Sequence, residues 1–129
     1  MVAEGAERRR MSVEEWRELE RTSEVKHEYI DGQIYAMAGG SRAHSAITVN
    51  AIAMLHTALG AGPCQVYNSD LATRVSASRY TYADVVVTCA ASDSAMRAAT
   101  EVAEPHVVFE VLSEGTERKD RGRKSDIWR

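Results

Sequence analysis

The spacing of apolar positions changes along the chain, and each change marks an element. Ser12-Val-Glu-Glu15 has the form of a capping box, so a helix is predicted to begin at Val13. Trp16 and Leu19 share one face of it, and it stops near Thr22-Ser23. Lys26–Ile30 and Gln33–Met37 flank Asp31-Gly32, a strong two-residue turn signal, and predict a hairpin. Gly39-Gly40-Ser41 breaks the pattern. From Arg42 to Leu59, Ile47, Ala51, Met54, Leu55, Ala58 and Leu59 recur at helical spacing, and Gly60 is placed as the stop. This longest helix is expected to be the main packing partner of a sheet.

After Gly62-Pro63 the pattern is that of strands. Residues 64–67 and 71–75 form two of them, and a turn follows at Ser76 to Ser78. Arg79 to Thr88 is a long third strand with a break near Ala83. Residues 90–104 are rich in Ala and Ser and predict a loop with one weak helical turn. His106 to Leu112 is a further strand, Ser113-Glu-Gly115 a turn, and Thr116 to Trp128 the charged opening of a helix. So few apolar residues at the end, after a strand that would form a sheet edge, predict a missing C-terminal part.

Composition narrows the classes. The chain has 129 residues, enough for one domain, here read as a leader over 1–11 and a domain over 12–129. Sixteen basic and 19 acidic residues give a net charge of −3, which excludes a strongly basic tail but not a local basic patch. No apolar run approaches the ~18 residues of a membrane span, and the N-terminus has no signal-peptide core. Cys64 and Cys89 fit no metal spacing and read as reduced core thiols of a cytoplasmic protein.

The candidate chemistry lies between Tyr80 and Ser113. Asp84 opens the apolar run Val85-Val-Val87, and Glu110 interrupts Val108-Phe-Glu-Val-Leu112. A charge inside a buried strand costs several kcal/mol unless it is paired or bound to a metal, so Glu110 calls for a partner. A divalent cation shared with Asp84 is one candidate. Asp120, Lys124 and Trp128 follow at i, i+4, i+8 and share one helix face. Two carboxylates and one lysine are what metal-assisted phosphodiester hydrolysis needs: the metal activates water, and the cation meets the developing charge. Mg²⁺ (or Mn²⁺) suits such a set, because Mg²⁺ takes one or two carboxylates and keeps several waters.

Other residues read more plainly. Asp70 is placed as a turn residue and His44 as a partly exposed helix histidine, with a phosphate-facing role as the sharper alternative. Tyr29, Tyr35, Tyr80 and Tyr82 alternate along strands, as packing residues do. Lys119 and the arginines between 118 and 123 fit either a phosphate-binding patch or an exposed helix start.

At these residues the sequence resembles the Uma-type restriction endonuclease family of the PD-(D/E)XK nuclease superfamily. The resemblance runs over residues 11–128. It is carried by His27-Glu-Tyr-Ile-Asp-Gly32, Gly39-Gly-Ser with His44, Val66-Tyr-Asn-Ser-Asp70, Tyr82-Ala-Asp-Val-Val-Val87, Phe109-Glu-Val-Leu-Ser113, Thr116-Glu-Arg-Lys-Asp120 and Lys124. It implies an α/β (α+β mixed) restriction-endonuclease-like fold, a central mixed sheet flanked by helices, here incomplete at the C-terminus. It implies a metal-dependent endonuclease acting on DNA, with Asp84 and Glu110 as metal ligands and Lys124 as the catalytic lysine. Glu28 matches an acidic residue of the first hairpin. The superfamily lysine two residues after the second acid is Leu112 here, Ala83 replaces a proline, Glu114-Gly115 replaces Pro-Ser, and Trp128 replaces a tyrosine. A homodimer is the simplest way to cut both strands. Two other readings remain: an inactive truncated nuclease-fold protein acting at most as a binding module, and a small α+β protein that binds something other than nucleic acid.

Overall fold

The computed structural model describes residues 10–112 and 127–128. Helix α1 (Val13–Thr22) begins as the sequence predicts. The Ser12 side chain accepts from the Glu15 N–H at 3.1 Å, and the Glu15 carboxylate accepts from the Ser12 N–H at 3.0 Å. Strands β1 (His27–Ile30) and β2 (Gln33–Ala36) pair antiparallel around Asp31 and Gly32, both at positive φ, 49° and 90°. That is a type I′ turn, whose twist matches the flanking strands. Helix α2 spans Arg42–Leu59, is N-capped by Ser41 and stops at Gly60. Then come β3 (Gln65–Tyr67), β4 (Ala72–Ser76), β5 (Arg79–Thr81), β6 (Val85–Thr88), α3 (Ala91–Ala95), β7 (Glu101–Val102) and β8 (Val107–Phe109).

The strands divide into two sheets. One is five-stranded and mixed, in the order β2-β1-β5-β4-β7, with β4 and β7 parallel. The other is antiparallel, in the order β3-β6-β8. The mixed α/β class and the mixed sheet are as expected. The run from Arg79 to Thr88 does break near Ala83, and the break has a consequence: β5 belongs to the first sheet and β6 to the second. Tyr82, Ala83 and Asp84 are the passage between them.

The first core packs α1 onto the five-stranded sheet. Trp16 is buried against Tyr29 and Tyr80, with ring centroids 5.9 and 5.0 Å away, and its indole N–H donates to the His27 carbonyl at 3.0 Å. Met11 packs against this core, and its carbonyl accepts from the Tyr29 hydroxyl at 2.7 Å. Arg17 ties α1 to β7 through both oxygens of Glu101, at 2.7 and 3.1 Å, and the carboxylate raises the guanidinium pKa. A second core lies on one face of the other sheet: Ala83, Val86 and Val102, with Tyr67, Leu71, Val108 and Trp128 against them.

Three expectations change. Helix α2 packs on β3 and β6 but buries none of its residues. The side toward the sheet (His44, Thr48, Ile52, Leu55, Leu59) is half-buried, while Ile47, Val49 and Met54 are exposed. Its apolar residues form two faces, and a three-stranded sheet covers only one. Second, strand β7 lies within what the sequence reads as loop; two residues are too short for a period-2 signal.

Third, Cys64 and Cys89 are not free thiols but a disulfide. The β3–β6 register pairs Gln65 with Thr88, so one step further sets Cys64 opposite Cys89. This bond removes the support that free thiols lent to a cytoplasmic setting. Among the described residues no helix is long and apolar enough to cross a membrane.

Two measurements check this architecture. Closing a 25-residue separation is worth about 3.5 kcal/mol in the chain-entropy account. Urea unfolding with and without dithiothreitol, and of the Cys64→Ser/Cys89→Ser double variant, is predicted to differ by about that amount; superimposable curves would rule the bond out. Asp93 is the second case. Its burial alone would raise the carboxyl pKa, but N–H groups of Ala103 and Glu104 and the Thr88 hydroxyl outweigh that and lower it. A depressed folded pKa stabilises above the unfolded value near ~3.9, and that stability is lost as pH falls through the folded one. Asp93→Ala is therefore predicted to cost about 1–3 kcal/mol at pH 7, with the gap closing below pH ~4. Denaturant titrations at the two pH values decide it.

Candidate functional site

Asp84 and Glu110 are brought together by strand register. Strands β6 and β8 pair Val85 with Phe109, so the next step beyond the ladder sets Asp84 opposite Glu110. The main chain then links the two carboxylates. The Asp84 N–H donates to Glu110 Oε1 at 3.1 Å, and the Val111 N–H donates to Asp84 Oδ2 at 2.7 Å. Each acid is thus held by a main-chain group at or beside the other. Hydrogen bonds of this kind to a carboxylate are short and strong, and they offset the like-charge repulsion that crowding two acids creates.

The reason for the pairing differs from the expected one. Strand β8 ends at Phe109, so Glu110 follows the strand and does not sit within it. Val107 and Phe109 are 48% and 40% exposed, and Glu110 is half-buried. The flanking apolar residues made Glu110 look entombed, but β8 is the last strand of its sheet among the described residues, and two of its three residues are exposed.

A third side chain joins this pair. His44, in the first turn of α2, lies with Nε2 3.2 Å from Asp84 Oδ2. The sequence places it as a partly exposed helix histidine, and its side chain is 18% exposed. No spacing rule links residues 40 positions apart, so only the tertiary fold brings them together.

Asp84 and His44 stand on the wall of an open groove of about 710 Å³, with Lys26, Gly40, Asn68 and Tyr82 also lining it. Glu110 stands beside Asp84, off that wall. Tyr82 is fixed by its hydroxyl, which donates to Glu20 at 2.8 Å. Burial first, and Glu20 second, push its pKa up, so it stays a neutral phenol. Glu20 also accepts from the His27 N–H at 2.7 Å, which ties α1 to the hairpin. The Lys26 ammonium lies 5.3 Å from the Tyr82 ring centroid and donates to the Ser69 carbonyl at 2.7 Å.

Other candidates fall elsewhere. Glu28 is fully buried in the five-stranded sheet, where the Tyr29–Tyr80 register sets it opposite Thr81. Asp70 is exposed, and its N–H donates to the Asn68 side chain at 2.9 Å, as in an Asx turn. Tyr29 and Tyr80 are core packing residues, as expected. Asp120, Lys124 and the basic cluster lie outside the described residues. Trp128, on the same predicted helix face as Lys124, packs against the cluster that contains Ala83.

Two carboxylates fit a hard cation that keeps much of its water. Oδ1 of Asp84 accepts no hydrogen bond among the described residues, which leaves it available as a ligand oxygen. No group of three or more His, Cys, Asp or Glu side chains among the described residues could hold a metal ion, so a closed cage of the zinc type is not built here.

A prediction separates the fold from the chemistry of this pair. Gln at 110 still offers an oxygen to the Asp84 N–H, so Glu110→Gln is expected to change stability by less than ~0.5 kcal/mol, whereas Glu110→Ala loses about 1 kcal/mol. Thermal unfolding of both variants at pH 7 checks this, and equal losses would show that the hydrogen bond does not hold the strand ends together.

Comparison with known proteins identifies the family of the chain. The family described as "Uma2: Putative restriction endonuclease" matches residues 13–129. A relative named "Uncharacterized protein slr1290", from Synechocystis sp. strain PCC 6803, is 44% identical over 121 residues, covering 92% of this chain and 62% of the relative. A second from the same organism, "Uncharacterized protein sll1609", is 27% identical over 120 residues, covering 92% of this chain and 68% of the relative. The chain thus spans less than two thirds of the length of the first relative.

Proposed function

The chain belongs to the Uma2 restriction endonuclease family, and from that premise we propose that Asp84 and Glu110 bind a divalent cation in an endonuclease site acting on DNA. The observation that carries the reading is the reciprocal link at the strand ends: Asp84 N–H to Glu110, and Val111 N–H to Asp84. It sets two carboxylates side by side next to a groove that is open to a polymer. Mg²⁺ or Mn²⁺ held there would polarise a phosphate oxygen and lower the pKa of a water, the chemistry phosphodiester hydrolysis needs.

The chain's own residues have separable tasks in this reading. Asp84 and Glu110 bind the cation, and the two N–H groups keep both carboxylates aimed. Lys124, which the family match covers, is assigned the task of meeting the developing phosphate charge or positioning the water. The same reading includes DNA as the partner and a homodimer to cut both strands.

The test is plasmid nicking with Mg²⁺ and with Mn²⁺. Asp84→Ala and Glu110→Gln are each predicted to lower the rate by at least ~100-fold, as loss of a positioned electrostatic group does, and Lys124→Ala by a similar factor. Cleavage by Asp84→Ala at the wild-type rate would sink the assignment.

A further inference from the structure

His44 touches neither of the expected catalytic acids in sequence, yet in space it holds one of them. Asp84 Oδ2 is approached from two sides. Val111 N–H comes from the end of β8 at 2.7 Å, and His44 Nε2 comes from α2 at 3.2 Å. Oδ2 is a carboxylate acceptor, so Nε2 is the donor in this contact. Two donors on one oxygen fix the rotation of the carboxylate. They leave Oδ1 as the oxygen it presents.

The histidine is itself held. Its N–H donates to the Ser41 side chain at 3.1 Å, and its carbonyl accepts from the Thr48 hydroxyl at 2.8 Å. The ring lies against the main chain of Gly40. A Cβ at Gly40 would stand 2.7 Å from His44 Nδ1 and 3.0 Å from Cγ, closer than side-chain packing allows. A Cβ at 40 therefore forces the ring or the loop that carries it to shift, which changes the aim of Nε2. Gly39 carries no such constraint, since among the described residues nothing lies within 4 Å of its Cβ position. Of the two adjacent glycines, one seats the histidine and the other does not.

We propose that His44 is a positioning residue for Asp84, and that Gly40 is the seat that aims it. The inference rests on the metal-site reading above, and it deepens that reading by naming what orients one ligand. Groups that hydrogen-bond to a ligating carboxylate are typically worth ~10–100-fold in metal affinity. His44→Ala is thus predicted to weaken Mn²⁺ binding by ~10-fold or more without abolishing it. His44→Gln places an amide N–H near the position of Nε2 and is predicted to recover most of that affinity. Gly40→Ala keeps the imidazole but moves it, and is predicted to resemble His44→Ala. Gly39→Ala is predicted to bind as the wild type does.

The experiment is Mn²⁺ titration calorimetry on the full chain, with thermal unfolding of each variant alongside. Asp84→Asn is the control that separates the two levels. If the wild type binds no Mn²⁺, or Asp84→Asn binds as well as wild type, the metal reading fails and this inference fails with it. If Asp84→Asn loses binding while His44→Ala and Gly40→Ala both retain wild-type affinity, the metal reading stands and the positioning role is overturned. Should His44→Ala fail to fold, His44→Gln against Gly40→Ala carries the same comparison: equal affinities for the two overturn the proposal.

Discussion

Residues 79–88 serve two sheets, and the site depends on where that run changes allegiance. As β5 it pairs with β1 and β4; as β6 it pairs with β3 and β8. The passage between them, Tyr82 to Asp84, cannot be loose, because both sheets pull on it. Ala83 is wholly buried there, in the cluster with Val86 and Val102. Tyr82 on one side is anchored to Glu20 of α1, and Asp84 on the other to Val111 beyond β8. A carboxylate at such a junction is fixed from both ends without lying inside either sheet. It therefore keeps access to a groove while its position is set by two cores.

That arrangement explains how two acids tolerate each other. Each is hydrogen-bonded by a main-chain N–H at or next to the other, so the stabilising contact and the crowding come from the same register. Losing the register would release both at once. His44 adds a contact from a third element, α2, which otherwise packs only partly. The helix buries no residue fully, yet its first turn is aligned by the Ser41 cap and by the close approach of Gly40. That first turn is the end that reaches the candidate site.

Much of the fold was legible in the sequence because it rests on short-range chemistry. The capping box at Ser12 and Glu15, the Asp31-Gly32 turn and the limits of α2 from Arg42 to Leu59 each depend on residues within a few positions of one another. Asp84 and Glu110 were legible as acids beside apolar runs. Glu110, expected inside a buried strand, lies past the end of β8, half-buried, and accepts from the Asp84 N–H. Apolar neighbours in sequence do not reveal whether a strand is covered on both faces.

The sequence by itself determined the residue types, the local elements and their order, since these follow from period, caps and turns. Only the tertiary structure decided which pieces meet. The β3–β6 register turned Cys64 and Cys89 from separate thiols into a disulfide. The transfer of one run between two sheets set Asp84 at a junction, and the fold carried His44 across 40 residues to its carboxylate. These outcomes rest on pairings between distant strands and on which face of α2 found a sheet to cover it. Such pairings are selected by the sum of buried surface across the whole chain, and no local pattern encodes that sum.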